Sequence, residues 1–229
     1  IGEVTDYIRA LDRSGYFETV TLSEDDLKRN DMYRANAQRA KAQSRFADYH
    51  DYLLSLEMTA EIGDFSPLYL QRITQLTNKS NQFNLTTKRY TAEQMEAVYN
   101  SDEYIRLYGK LYDKFGDNGV VAVTIGKTDS EDKGRLDIEL WLMSCRVLKR
   151  DMELAMLDSL VAQAKKRGIR EIYGHYYPTA KNKMVAGLYE SFGFEKISQD
   201  EEGNTAWRLM VEGYEDKNTV IKVKEEHYA

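Results

Sequence analysis

Cysteine is almost absent from the sequence, with one among 229 residues, so an internal disulfide is excluded. A single thiol fits a reducing compartment, and we expect a cytoplasmic protein. No apolar run approaches the roughly 18 residues of a membrane-spanning helix, and no signal peptide is visible. The sequence therefore predicts a chain that does not work in a membrane.

The sequence also lacks an excess of positive charge: it has 32 Lys and Arg against 38 Asp and Glu, which gives a formal net charge of −6. This acidic balance argues against nucleic acid or an anionic membrane as the main partner. The sequence has no Walker loop, HExxH, paired CxxC or GxSxG motif, which excludes several enzyme classes, and we expect no metal site. The chain starts at Ile1 rather than Met, so we expect it to be part of something longer.

The apolar content, 42% of the residues, is enough for one sizeable core. Residues 1–57 are too polar to own a core, and we predict a helical arm there that docks against or connects to another domain. Residues 58–211 are predicted to form the folded domain, and residues 212–229 a C-terminal tail. Within the arm, the patterns predict a helix, a short strand and a second helix over residues 4–14, 17–22 and from Ser23 onward.

The folded domain is predicted to follow the order β-α-α-β-β-β-α-β-α-β-β. Helix starts are expected at Pro67 and Thr91, a hairpin turn at residues 116–119, and two further helices over residues 150–167 and 180–192. A mostly antiparallel sheet that becomes strand–helix–strand in its middle predicts an α/β (α+β) fold with helices flanking a mixed sheet.

With this order, the segment GLYESFGF at residues 187–194 resembles the GNAT (N-acetyltransferase) fold, and the resemblance covers residues 58–211. The resemblance implies that the two middle strands of the sheet separate and that a slender thiol-bearing chain binds between them. The Gly-Phe pair also has a plain structural reading, since Gly193 suits a left-handed helix cap and Phe194 starts the next core strand.

Five longer segments are similar to the FkbH-like proteins and occur in the expected order: LSEDDLKRNDMYRANAQRAK, QLTNKSNQFNLTTKRYT, FGDNG, LMSCRVLKRDME and GHYYPTAKN. That family joins a HAD-type phosphatase domain to a C-terminal GNAT-like domain. The resemblance implies handling of a small hydroxyacyl group, glyceryl or similar, and its transfer to the phosphopantetheine thiol of an acyl carrier protein in polyketide-like pathways. It also implies that residues 1–57 are a remnant of the junction with an upstream HAD-type domain. The phosphatase signature Asp-x-Asp-x-Thr/Val is absent, so we expect phosphoryl chemistry to lie outside this chain.

A cofactor loop is expected where the strand at residues 135–144 gives way to a helix. GNAT proteins usually have Gln/Arg-x-x-Gly-x-Gly/Ala there, and its backbone N–H groups cradle a pyrophosphate. The aligned residues here are Arg146, Val147, Leu148, Lys149, Arg150 and Asp151. Only Arg146 fits the pattern, side chains at 149 and 151 obstruct close approach of a phosphate, and Lys149 and Arg150 compensate in part. We therefore expect the single phosphodiester of a carrier's arm to suit this loop better than acyl-CoA.

Four residues are candidates for catalysis, each with a plainer alternative. The resemblance places Tyr189 as the acid that protonates the departing thiolate, which is chemically reasonable because thiol and phenol pKa values are about 8.5 and 10; otherwise it packs a helix against the sheet. Glu139 and His175 are possible bases or solvated polar residues. Cys145 is a possible nucleophile beside Arg146, or a small buried filler.

The polar segment at 78–89 is predicted to bind the hydroxyacyl substrate through Asn78, Gln82, Asn84, Thr86 and Arg89, although such residues also commonly cap helices. Asn182 either caps the last helix or holds a pantetheine amide. An acyltransferase is the leading hypothesis. The alternatives are a non-catalytic module that docks a carrier protein or substrate for a HAD phosphatase domain, and an amine or sugar-nucleotide N-acyltransferase that uses acyl-CoA.

Overall fold

A computed structural model describes residues 29–225 of the protein. The chain divides into two compact units, Ile1–Ala42 and Gln43–Ala229. The described part of the first unit is helix α1 (Arg29–Gln43), which ends at the first residue of the second. The predicted helix at 4–14, the strand at 17–22 and the helix cap at Ser23 lie outside the described residues. Among the described helices, none is both long and apolar enough to cross a membrane.

The second unit is built around one mixed sheet. Its strands in the described chain are β1 (Thr59–Asp64), β2 (Phe83–Asn84), β3 (Tyr104–Asp113), β4 (Gly116–Thr128), β5 (Arg135–Met143), β6 (Glu171–Tyr176), β7 (Glu195–Gln199), β8 (Thr205–Met210) and β9 (Lys222–Glu225). The spatial order is β7-β8-β6-β5-β4-β3-β1-β9, and β2 pairs separately with β5. The pairs β5/β6 and β1/β9 are parallel and the other pairs are antiparallel. The predicted mixed, mostly antiparallel sheet is confirmed.

Helices cover both faces of the central strands. In the second unit these are α2 (Tyr49–Ser55), α3 (Pro67–Lys79), α4 (Ala92–Tyr99), α5 (Met152–Lys166) and α6 (Leu188–Ser191). Residues of α3 and α4 share one buried cluster with Tyr108 and Val123. The next residue of β3, Gly109, faces α5 so closely that an added Cβ would lie 2.4 Å from Met152 Cε. Because neighbouring strand residues point to opposite faces, α5 packs on the face away from α3 and α4.

Several helix ends lie where the sequence predicts them. Pro67 is in the first turn of α3, as expected from its fixed φ. The Thr91 side chain accepts from the backbone of Gln94, whose own side chain accepts from Thr91, and this capping box starts α4. Gly168 adopts φ 70° just after α5.

Three expectations were wrong in detail. The hairpin turn lies at Lys114–Phe115, not at 116–119, because Asp113 Oδ1 accepts from the backbone N–H of Phe115 at 2.8 Å and turns the chain early. The predicted helix over 180–192 is broken into a 3₁₀ turn (Lys183–Val185) and the short α6. Residues assigned to a tail include β9, which extends the sheet beside β1.

A buried ion pair joins the β3–β4 hairpin to the loop that precedes α5. Arg150 Nη1 lies 3.1 Å from Asp113 Oδ2, and the two side chains are 10% and 0% exposed. The same nitrogen approaches Asn118 Oδ1 at 3.5 Å. A buried pair contributes little relative to an apolar replacement of both partners, but loss of one partner leaves an uncompensated charge.

We expect Arg150→Met to lower the free energy of unfolding by about 3 kcal/mol, because the Asp113 carboxylate would stay buried without this cation. Urea denaturation monitored by circular dichroism measures the change. The control is Glu103→Ala, which removes one partner of an exposed pair with Lys127 and should change stability by less than about 0.5 kcal/mol. Equal effects of the two substitutions would contradict the assignment.

Candidate active site

Strands β5 and β6 part soon after they begin. They pair in parallel from Arg135–Glu171 to Asp137–Tyr173, and no further pairing joins them in the described chain. Beyond Asp137 and Tyr173, another part of the chain lies between the two strands. We call residues 83–86 the bridging segment, because they bond to β5 on one side and to the chain leaving β6 on the other.

Backbone hydrogen bonds fix the bridging segment on both sides. On the β5 side, Phe83 and Asn84 pair with Met143 and Leu142, and the N–H of Leu85 donates to Trp141 O at 3.1 Å. On the other side, the N–H of Tyr177 donates to Leu85 O at 2.9 Å. The segment therefore completes the sheet where the two strands separate.

Asn182 holds the bridging segment from the side of β6. Its Nδ2 donates to Asn84 O and to Tyr177 O, both at 2.9 Å, and its Oδ1 accepts from the N–H of Thr179 at 2.7 Å. The residue is fully buried and makes no helix-capping bond through its side chain. The expectation that Asn182 caps the last helix was therefore wrong.

The predicted substrate residues mostly fold their own segment. Asn78 Nδ2 donates to Thr74 O and Tyr90 O, and Arg89 donates to Thr77 O, Ser80 O and the Asn81 side chain. Thr86 Oγ1 donates to Glu139 O at 2.8 Å, Asn84 Oδ1 accepts from the N–H of Thr87, and Gln82 is exposed. The helix-capping and turn-forming role left open by the sequence accounts for these contacts.

Tyr189 points into the interior, away from any cleft. Its ring packs on Gly174 so closely that a Cβ there would lie 2.3 Å from it, and Phe194 and Trp207 surround it. The hydroxyl lies beside the His175 backbone but makes no hydrogen bond of normal geometry. Burial raises the pKa of this phenol well above its usual value. The expectation that the helix delivers Tyr189 to the cleft was wrong, and in this position it cannot reach a thiolate.

A second candidate, His175, lies on β6 beside a carboxylate of β5. His175 Nε2 is 3.2 Å from Asp137 Oδ1, and Arg135 donates to both oxygens of Asp137 at 2.8 and 2.7 Å. The Arg135 guanidinium stacks 3.9 Å from the centre of the Tyr173 ring. Burial alone would raise the pKa of Asp137, but the bonds from His175 and Arg135 outweigh it and hold the pKa below its usual value.

Glu139, two residues further along β5, is already partnered. Its Oε2 lies 2.5 Å from Lys88 Nζ and accepts from the Tyr90 hydroxyl at 3.1 Å. Burial, and then the neighbouring carboxylate, raise the pKa of Tyr90. The residues Lys88, Tyr90, Arg135, Asp137, Glu139 and His175 are called the polar cluster below.

The predicted cofactor loop keeps an unusual backbone shape. Lys149 and Asp151, at the two positions where the GNAT pattern has glycine, adopt φ 62° and 59°. Glycine takes such angles freely and aspartate tolerates them, whereas a lysine there is strained. The loop is held by protein contacts, because the Tyr49 hydroxyl donates to Lys149 O at 2.5 Å and Arg150 is paired with Asp113.

The charges and exposure along this loop differ from those of a phosphate site. Val147 is buried, Arg146 and Leu148 are half-buried, and burial raises the pKa of both Asp151 and Glu153 at the start of α5. Cys145 is exposed at the end of β5, so its alternative as a buried filler was wrong. Its role as a nucleophile stays a prediction.

No protein-family model matches the sequence, and no curated protein matches it. Several solved structures have a similar fold. The ribosomal-protein-S18-alanine N-acetyltransferase of Escherichia coli is 13% identical and has a TM-score of 0.51, over 70% of this chain and 99% of that chain. YncA, a putative acetyltransferase of Salmonella typhimurium solved with its cofactor acetyl-CoA, is 14% identical with a TM-score of 0.51, over 69% and 96%. The GNAT domain of S. lividans PAT is 15% identical with a TM-score of 0.51, over 65% and 89%. The chain has a GNAT-like fold.

Acyl-CoA does not fit this GNAT-like domain as it stands. The bridging segment fills the space between the parted strands. At the loop that would take the pyrophosphate, Tyr49 bonds to the backbone, and two carboxyl groups lie at the start of α5. A diphosphate would meet the carboxyl groups of Asp151 and Glu153 and the Tyr49 phenol that is bonded to Lys149 O there.

Sequence reasoning missed Asp137, Arg135, Lys88 and Tyr90 as parts of the site. The alternation along RLDIELWLM placed Asp137 on the same polar face as Glu139, so one signal for it was available. Lys88 and Tyr90 contact Glu139 across sequence separations of 51 and 49 residues. Hydrophobic periodicity describes only neighbours along the chain, so it could not predict these contacts.

We expect Tyr189→Phe to leave the free energy of unfolding unchanged or to raise it by up to about 1 kcal/mol, because it removes a buried hydroxyl without a partner. Thermal and urea unfolding measure this. The matched control is Tyr214→Phe, which loses a 2.6 Å bond to Asp158 Oδ1 and should be destabilised by about 1.5 kcal/mol. A comparable loss for Tyr189→Phe would show that the phenol has a partner.

Because the pKa of Asp137 is lowered in the folded protein, the free energy of unfolding depends on pH in the acidic range. Its contribution is fully present above the unfolded value of about 3.9 and is lost as the pH falls through the lower folded value. We therefore expect wild type to lose more stability than Asp137→Asn between about pH 5 and 2. Urea midpoints measured across that range test this, with exposed Glu201→Gln as the control. Parallel curves for wild type and Asp137→Asn would contradict it.

Proposed function

We propose that this GNAT-like chain is the acyltransferase domain of an FkbH-like protein and handles a small hydroxyacyl group, of glyceryl type, borne on a carrier-protein thiol. The observation that supports this most is the polar cluster, in which a histidine–carboxylate pair and a second carboxylate two residues along β5 lie where β5 and β6 part. Acyl transfer needs a base that takes a proton from the acceptor and returns it to the leaving thiolate.

His175 supplies that base in this proposal. Asp137 accepts from Nε2–H and fixes the tautomer, so Nδ1 keeps its lone pair and takes the proton of the acceptor. The acceptor forms the new bond to the acyl carbon, the carbon–sulfur bond breaks, and the thiolate takes the proton back from Nδ1. Arg135 acts on the proposed base through Asp137 and is a positioning residue.

Glu139 has a different part in the proposal. With Lys88 and Tyr90 both on its Oε2, the carboxylate is held in place and is a less effective base than His175. A fixed carboxylate beside a lysine suits hydroxyl groups, which both donate and accept hydrogen bonds. This supports a hydroxylated acyl group over acetyl.

A non-catalytic module that docks a carrier protein or substrate for a HAD-type phosphatase domain is the second candidate. Two observations favour it: Tyr189 is buried, and the bridging segment occupies the space between the strands. An N-acyltransferase that uses acyl-CoA is not favoured, because the residues present do not fit that cofactor.

The test uses the glyceryl thioester of N-acetylcysteamine as acyl donor and pantetheine as acceptor thiol, with transfer followed by mass spectrometry. We expect His175→Ala to slow transfer at least 100-fold, the lower end of general acid–base catalysis, and Asp137→Asn to slow it about tenfold. Glu195→Gln, on edge strand β7, is the control and should keep the wild-type rate.

Two outcomes would contradict the catalytic role. Equal rates for wild type and His175→Ala would exclude His175 as the base. A wild type that transfers no acyl group but binds a phosphopantetheine-loaded carrier protein would favour the docking module.

A further inference from the structure

We infer that the bridging segment is a permanent internal strand, locked by Asn182, and that this domain binds neither CoA nor pantetheine between β5 and β6. An acyl thioester then reaches His175 from the polar face of the sheet without threading through it. The route of the acyl group rests on the proposed function, whereas the closure of the sheet rests on the fold alone.

The hydrogen bonds show a gap that one strand fills. Two residues of the bridging segment, Phe83 and Asn84, are in register with β5, the N–H of Leu85 donates to Trp141 O, and Leu85 O accepts from Tyr177 on the far side. A thiol-bearing chain placed there would need the same backbone groups of Trp141 and Tyr177. The two occupants exclude each other.

Departure of the segment would be strongly unfavourable. Leu85 and Asn84 are fully buried and Phe83 is 5% exposed. Release would expose two large apolar side chains and leave buried N–H and C=O groups of both strands without partners. The turn that follows is also fixed, because Asn84 Oδ1 accepts from the N–H of Thr87 at 2.8 Å.

Asn182 makes this arrangement specific. An asparagine offers two donor hydrogens and an acceptor, and here the donors serve Asn84 O and Tyr177 O while the acceptor serves Thr179. The side chain therefore ties the bridging segment to the loop that leaves β6. An aspartate keeps the shape and the bond from Thr179 but turns both donors into acceptors that face carbonyl oxygens.

The opposite end of a CoA molecule is also excluded. Its diphosphate would lie at the loop 146–151, where the Tyr49 hydroxyl already bonds to Lys149 O. This bond places the Tyr49 phenol at the loop, two residues before the N-cap of α5 at Asp151. Helix α2 and the bridging segment therefore lie at the positions that the diphosphate and the thiol-bearing arm of CoA would take.

Hydrogen exchange with mass spectrometry on the whole chain tests the inference, with acetyl-CoA and pantetheine as probes. We expect the amides of Leu85 and Tyr177 to exchange as slowly as those of β4. Neither probe at about 1 mM, the weak end of specific binding, should change those rates, and acetyl-CoA should give no saturable heat in calorimetry. Asn182→Asp should accelerate exchange at Leu85 at least about tenfold, since two buried bonds are lost.

Two further variants keep the test decisive. Exposed Asn100→Asp, at the end of α4, is the matched control and should leave Leu85 unchanged. If Asn182→Asp does not fold, Thr86→Val removes the bond to Glu139 O at the rim of the segment and should accelerate exchange about threefold, as expected for the loss of one modest bond.

Micromolar binding of either probe with loss of protection at Leu85 would overturn the inference. So would wild-type exchange at Leu85 as fast as in the exposed residues 130–133. Either result would leave the His175→Ala comparison intact, and full activity of His175→Ala would leave the exchange result intact. The two proposals can therefore fail separately.

Discussion

The need to pair buried backbone groups governs this structure at the point where β5 and β6 separate. Parallel strands that part leave N–H and C=O groups inside the protein, and each unpaired group is unfavourable there. The bridging segment pairs with β5 and satisfies the C=O of Trp141 and the N–H of Tyr177. Burial of Leu85, the position of Asn182 and the closure of the sheet all follow from this pairing.

The same pairing decides which side of the sheet remains available for chemistry. With the gap filled and Tyr189 packed beneath Gly174, no thiol-bearing chain can pass between β5 and β6 at this point. The polar cluster is on the other side, where His175 is 28% exposed and Glu139 24% exposed at their side chains. A domain with a GNAT-like fold thus presents acid–base groups to solvent while its middle is closed.

Local patterns in the sequence were enough to predict most of the fold. Alternation, capping residues and glycine stops located β1, α3, α4, β5 and α5, because each depends on neighbours a few residues apart. The broken helix after residue 182 was missed because Asn182 uses its side chain on residues up to 98 positions away. Tyr189 was placed on the wrong side for a similar reason, since the missing Cβ of Gly174 gives its ring room inside. The candidate site was predicted in part, with Glu139 and His175 named but their partners not.

The loop at 149–151 has a backbone shape that its residues do not favour by themselves. Left-handed geometry is unfavourable by about 1 kcal/mol at Lys149 and by less at Asp151, so other contacts help to hold it. Tyr49 and the Arg150–Asp113 pair supply them from within the chain. The shape of this turn is therefore imposed by folding of the chain itself, and no bound ligand is needed to maintain it.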